Sequence, residues 1–302
     1  MTVEHTAATQ REGVVAGLGA YVIWGLVPVF FKQFHDVPAL EIIAHRVVWS
    51  LVFMGAVLAI GRGFAQARDT FQSPRRLARV ALGALFVSAN WLVFVYAINT
   101  GRILATSLGY FILPMVSVAL GVLVLGEQLR RLQWVAVGFA CLGVIAETVH
   151  AGELPWISLL LAATFGIYGL LRKRLPLDAA SGLFLATACV LPVALGYLLW
   201  LEHSGDGHFM QSPVNAGLLV ASGAVTALPL LLFAISARRL PLNMMGFMQY
   251  LAPTISALIA VFAYGEAFDA PRAAAFGAIW LGIAVYSVDV WRHSRPASAT
   301  SP

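Results

Sequence analysis

One arginine of this chain stands where an arginine is costly. Arg46 lies inside an apolar run covering residues 41 to 60, with His45 beside it and Glu41 about one helical turn earlier. At 1.5 Å per residue it is roughly 9 Å in from the end of that run. A guanidinium at such a depth needs a counter-charge, water, or room to snorkel outward. Two chemistries fit these residues. Arg46 anchors a carboxylate or other anionic group of a ligand, or it is locked by Glu41, Asp36 or another loop acid as a structural pair. His45, on the helix face of Glu41, either titrates near neutral pH or serves as a hydrogen-bonded structural residue.

A second set of polar residues is spaced for a helix. Ser107, Tyr110, Pro114, Ser117 and Gly121 follow steps of 3, 4, 3 and 4, which places them in one stripe. Gly246, Gln249, Pro253, Ser256 and Ala260 repeat that stripe later in the chain. Pro114 and Pro253 are read as helix-break positions, each removing one helical hydrogen bond and leaving a carbonyl free. In a bilayer such defects survive only inside protein or beside a wet cavity. Small and polar stripes also serve tight helix packing, but Tyr110 and Gln249 are large for a close seam. The expected cavity wall is therefore Tyr110, Ser117, Gln249 and Ser256, with Leu108, Val116, Phe247 and Ile255 turned away into packing or lipid. Trp24, Asn90, Tyr168 and Tyr250 complete the candidate substrate-binding set with His45 and Arg46, since aromatic groups away from the interface belt suit a pocket for small molecules.

Several chemistries lack their residues. The sequence has no GxxxxGK(S/T), HExxH or GxSxG motif, and of its seven histidines only His45 lies within a long apolar run. No catalytic residue, metal site or cofactor is expected. Cys141 and Cys189 sit in apolar runs as small hydrophobes.

The elements that must position these residues follow from composition. Of 302 residues, 60% are hydrophobic and 11% charged, against a charged share of about 25% in soluble domains; mean hydropathy is +0.84. A water-soluble globule of this composition would expose apolar surface that nothing covers. At about 20 residues per crossing, ten spans are expected, at 13–31, 41–60, 78–99, 103–125, 132–149, 154–171, 180–201, 214–236, 242–264 and 272–291. Pro38, Pro155, Pro213, Pro241 and Pro271 punctuate their starts.

Lys and Arg accumulate on the cytoplasmic side of short loops. With ten spans, 15 of the 19 basic residues fall on the side that carries both termini, and Lys32, Arg102 and Arg272 on the other. The fold expected is thus an all-α inner-membrane protein with a cytoplasmic N-terminal tail at 1–12, five-helix repeats at 13–149 and 150–291, and a cytoplasmic C-terminal tail at 292–302. The net charge of +5 is the basic cytoplasmic face, with the lipid bilayer and its acidic headgroups as partner and no nucleic acid. Oligomeric state is left open between monomer and homodimer.

An offset of 139 residues aligns Gly109–Glu127 with Met248–Glu266 without a gap, matching Pro114 with Pro253, Ser117 with Ser256, Val122 with Val261, Gly126 with Gly265 and Glu127 with Glu266. The aligned spans are the fourth and ninth. An odd separation of five forces the halves into opposite orientations, as in transporters built from inverted repeats.

Trp24-Gly25-Leu26-Val27-Pro28, the Glu41 to Ser50 segment with His45-Arg46 and Trp49, Asn90-Trp91, Ser107-Leu108-Gly109-Tyr110 followed by Pro114, and the closing Gly126-Glu127 resemble the EamA-type drug/metabolite transporters, RarD branch. The similarity covers about residues 13 to 290 and is stronger in the first half. It implies ten helices in two inverted five-helix repeats and transport of small metabolites or drug-like molecules, often outward; RarD proteins are named for a link to chloramphenicol sensitivity. A secondary transporter with an alternating-access cavity is the expected function. A non-transporting membrane scaffold or an intramembrane enzyme are the alternatives.

The basic asymmetry is directly testable. Reporter fusions after residues 70, 130, 175 and 239 and at the C-terminus should read cytoplasmic, and fusions near 37, 152, 206 and 269 external. A cytoplasmic reading at 206 would sink the ten-span arrangement.

Overall fold

The computed structural model describes residues 2–34, 36–61, 63–126, 128–173, 175, 177–237, 239–240, 245 and 248–294. Among them there is no strand. The helices are α1 (Thr2–Phe31), α2 (Ala39–Ile60), α3 (Phe64–Phe71), α4 (Pro74–Asn99), α5 (Ile103–Leu125), α6 (Arg131–Ala151), α7 (Trp156–Lys173), α8 (Ala179–Ser204), α9 (Pro213–Ala237), α10 (Leu251–Leu258) and α11 (Ala270–Ser294). A π-helical turn, Ile259–Ala263, extends α10.

Eight stretches are long and apolar enough to cross a membrane: Gln10–Phe31, Ala39–Ile60, Pro74–Asn99, Ile103–Val124, Arg131–Ala151, Ala180–Ser204, Pro213–Ala237 and Ala270–Asp289. The other two expected spans correspond to shorter apolar helices, Trp156–Arg172 and Leu251–Ala263. The ninth span was expected from 242, but residues 241–244 and 246–247 lie outside the described residues, and Gln249 and Tyr250 form a turn before α10. Two other boundaries move. Helix α1 begins at Thr2 because nothing before Gly13 is a helix breaker. The segment read as a loop after the second span holds α3, which buries Ala67 and Thr70; Ala67 packs in a small cluster with Val80 and Leu185.

The bundle is held by pairs of helices. The most extensive packing joins α6 to α11, followed by α5 to α7, α2 to α8 and α9, α1 to α9, and α4 to α7; α1 also packs on α10, α4 on α8, and α5 on α10. Glycine allows the closest approaches. A Cβ on Gly143 would strike Ile279 and the Ala275 carbonyl, and one on Gly223 would strike the Trp49 backbone. A single large core gathers Phe31, Trp91, Phe94, Phe111 and Phe276 from four helices. Large apolar side chains face outward, Ile60 at 87% and Phe262 at 82% exposure, as lipid contact requires.

Polar clasps close the ends of the bundle. Arg130 pairs with Asp289 at 2.7 Å and Arg272 with Glu147 at 3.1 Å, tying α6 to α11. The Glu266 carboxylate accepts from the Ile103 and Leu104 amides at 2.6 and 2.8 Å. It therefore caps the start of α5, where the helix dipole favours a negative group. Gly265, at φ +67°, makes the left-handed turn that sends Glu266 back toward α5.

Burial raises the pKa of Glu266 above its ordinary 4.5, against the two amides, Lys32 and Arg272, which lower it. The folded protein then holds this proton more tightly than the unfolded chain does. The associated stability is complete below pH 4.5 and is lost as pH rises through the higher folded value. Glu266→Gln should flatten that loss in thermal unfolding of detergent-purified protein across a pH series. A steeper loss in the variant would contradict the assignment.

Candidate functional site

Arg46 is placed by the second turn of α2 and is only 8% exposed. Its Nε donates to Thr226 Oγ1 on α9 at 2.6 Å. The guanidinium lies over the Trp91 ring of α4 at 4.2 Å and the Phe31 ring of α1 at 5.3 Å. Among the described residues no carboxylate reaches it. Glu41 accepts instead from the backbone N–H of His208 at 2.7 Å, and its other oxygen lies 2.8 Å from His208 Nδ1.

Next to Trp91, Asn90 is fully buried and joins three helices. Its Nδ2 donates to the Leu161 carbonyl at 2.9 Å and to Thr164 Oγ1 at 3.0 Å on α7, while Oδ1 accepts from the Tyr110 hydroxyl on α5 at 3.1 Å. Tyr110 packs edge-on to Phe165 and tilted to Phe94. Helix α5 runs unbroken through Pro114, whose missing N–H leaves the Tyr110 carbonyl without its helical partner. Arg46, Asn90 and Tyr110 thus belong to one buried polar cluster drawn from α1, α2, α4, α5, α7 and α9.

The other expected residues have contacts of their own. His45 stacks on Phe209, centroids 4.9 Å apart. Trp24 packs with Tyr21 and Phe233, and Tyr168 with Phe165. Ser117 is exposed, its hydroxyl bonded to the Leu113 carbonyl of its own helix. Its counterpart Ser256 is buried and donates to the Gly25 carbonyl at 3.0 Å, in the seam between α10 and α1. Gln249 and Tyr250 are half-buried in the turn before α10 and hydrogen-bond each other. Pro253 falls in the first turn of α10, where the missing N–H frees no carbonyl. Gly246 and Phe247 lie outside the described residues.

A cavity of about 340 Å³ lies elsewhere, between the starts of α5, α7 and α11 and the end of α6. Arg102, Glu147, Trp156, Glu266 and Arg272 line it, and so does Leu108, which the stripe geometry turned away from open space. Spacing could not have found this cavity, because its charged residues come from segments far apart in sequence. Thr226 and Thr164 were equally silent, since a threonine in an apolar helix ordinarily bonds its own backbone.

An all-helical bundle of apolar helices, with its polar side chains gathered inside, is a multi-pass membrane protein. Residues 11–147 match the EamA-like transporter family. An uncharacterised transporter of Pseudomonas aeruginosa is 46% identical over 95% of this chain and 97% of its own. The protein RarD of Escherichia coli is 42% identical over 97% of this chain and 99% of its own. The chloramphenicol-sensitive protein RarD of Pseudomonas aeruginosa is 32% identical over 94% and 96%. A solved crystal structure shares the fold at TM-score 0.62 and 18% identity, covering 94% of this chain and 99% of that one. The chain belongs to the EamA-like transporter family, in its RarD branch, and that membership points to a transporter rather than an enzyme.

Asn90→Ala should destabilise the protein by about 1–3 kcal/mol, because it strands the Tyr110 hydroxyl inside the bundle. Tyr110→Phe should cost less, and in the double variant the costs should fall short of their sum. Additive losses in thermal unfolding would show that the two side chains are uncoupled.

Proposed function

We propose that this protein is a secondary transporter of the inner (plasma) membrane that moves a small metabolite or drug-like molecule outward by alternating access. On this reading ten helices cross the membrane, both termini are cytoplasmic, and the two five-helix halves are inverted relative to one another. The observation that carries it is a correspondence in packing. The 139-residue offset takes the first residue of α4, Pro74, to the first residue of α9, Pro213, and the first of α6, Arg131, to the first of α11, Ala270. Gly126 at φ +67° goes to Gly265 at φ +67°. Exchanging halves also exchanges contacts: α5 on α7 becomes α10 on α1, α4 on α7 becomes α9 on α1, and α2 on α9 becomes α8 on α4, while α2 on α8, α6 on α11 and α5 on α10 return to themselves. All of these contacts occur. Contacts that survive exchange of the halves support this reading, because alternating access needs a second arrangement in which the halves reverse their roles.

Two positions along α5 supply the test. With Cys141 and Cys189 replaced, Leu108→Cys should react with a membrane-impermeant maleimide applied from outside and Ser117→Cys with the same reagent from the cytoplasmic side, in vesicles of defined orientation. Labelling one position should slow labelling of the other several-fold, because trapping one open state depletes the other. Labelling of both positions from one side, or of neither in folded protein, would refute the proposal. Chloramphenicol, to which one relative is called sensitive by name, is the first compound to try as protectant.

A further inference from the structure

Five buried side-chain nitrogen or oxygen atoms lack a hydrogen-bond partner among the described residues, and three of them lie within five residues of α2: Arg46 Nη1, Trp49 Nε1 and Ser50 Oγ. All three can donate. Trp49 and Ser50 follow Arg46 at three and four positions, which puts them within about 60° of it around the helix. Each unmet buried donor is destabilising, so such a cluster on one helix face calls for a partner.

We propose that this face of α2 binds the carboxylate group of a monoanionic small molecule, with Arg46 Nη1, Ser50 Oγ and Trp49 Nε1 as its donors. The proposal rests on the transporter reading and names the substrate class that reading leaves open. Three observations narrow the chemistry. No α9 side chain is bonded to any of the three donors: Thr226 Oγ1 receives Arg46 Nε and gives its proton to the Ser222 carbonyl, Ser222 donates to Leu219, and Gly223 has no side chain where it meets the Trp49 backbone. Trp91 and Phe31 cover the guanidinium, so its edge is what remains for recognition. Glu41 is turned to His208, so no carboxylate of the described residues touches the Arg46 guanidinium. A carboxylate supplies one negative charge and the planar pair of acceptors that suit it. A phosphate dianion would leave a net charge inside the bundle, which is costly.

Phe209 extends the site toward the end of the bundle. It stacks on both His45 and Trp49, at 4.9 and 6.3 Å between centroids, so the Trp49 indole is stacked on the loop before α9, while Gly223 lets α9 approach the Trp49 backbone. An indole fixed in this way loses little freedom when a ligand arrives.

The experiment is a thermal-shift series on purified full-length protein with formate, acetate and benzoate, and with benzamide and phenyl phosphate as neutral and dianionic controls. At least one carboxylate should raise the melting temperature of the wild type while both controls leave it unchanged. Ser50→Ala and Trp49→Phe should each weaken that carboxylate's binding about tenfold, and Arg46→Gln by more. Without ligand, Ser50→Ala and Trp49→Phe should melt at or above the wild-type temperature, because a stranded donor has been removed; a merely structural role predicts the reverse. Should Arg46→Gln fail to fold, the other two variants decide the matter. The site is refuted if no carboxylate stabilises the wild type, if a control does as well, or if the responding variants bind like wild type. Sided maleimide labelling without a carboxylate response would remove the site and keep the transporter; a carboxylate response without sided labelling would do the opposite.

Discussion

Hydrocarbon offers no hydrogen-bond partner, and that single constraint organises this bundle. It forces the backbone into helices, which satisfy their own amides. It also presses buried polar side chains that cannot bond their own helix to find partners elsewhere in the protein. Asn90 meets the demand with bonds to α5 and α7, Ser256 with the Gly25 carbonyl, Glu41 with His208, and Glu147 with Arg272. Each bond fixes the separation and rotation of the helices it joins, so the positions of the aromatic core residues follow from them. The demand goes unmet at three neighbouring donors of α2, on Arg46, Trp49 and Ser50, which is where the carboxylate site is proposed.

The ends of the helices obey a different balance. There the ion pairs Arg130–Asp289 and Arg272–Glu147 bracket α6 and α11, the pair with the most extensive packing. Glycine at Gly143 and Gly282 lets these helices touch through backbone, and such a seam slides poorly. At the start of α5 a different fastening appears, in which the Glu266 carboxylate accepts from two backbone amides.

Much of this was legible in the sequence, and for physical reasons. Helix existence follows from runs of apolar residues, and starts such as Pro38 and Pro213 follow from the tolerance of a first turn for proline. Arg46 and Asn90 stood out because polar groups are rare at their depth, and the structure buries both. Partners were not legible: nothing in the spacing connects Arg46 with Thr226, 180 residues away. The serine stripe misled in part, since Ser117 and Ser256 match in sequence yet one is exposed and the other packed. A repeat in sequence constrains where a residue sits on its helix, while the neighbouring helix decides what covers it.

The widened turn at Ile259–Ala263 bears on that last difference. Its counterpart in the first half, ending at Leu125, is regular α-helix, although the two segments align without a gap. A π turn takes up more residues per revolution than an α turn, so the later segment is shorter along its axis and rotated past the point where winding changes. The halves are alike in residues and unlike in pitch. Two such halves cannot trade places at equal energy. On the alternating-access reading proposed above, the equilibrium between the two arrangements is therefore off balance before a ligand arrives.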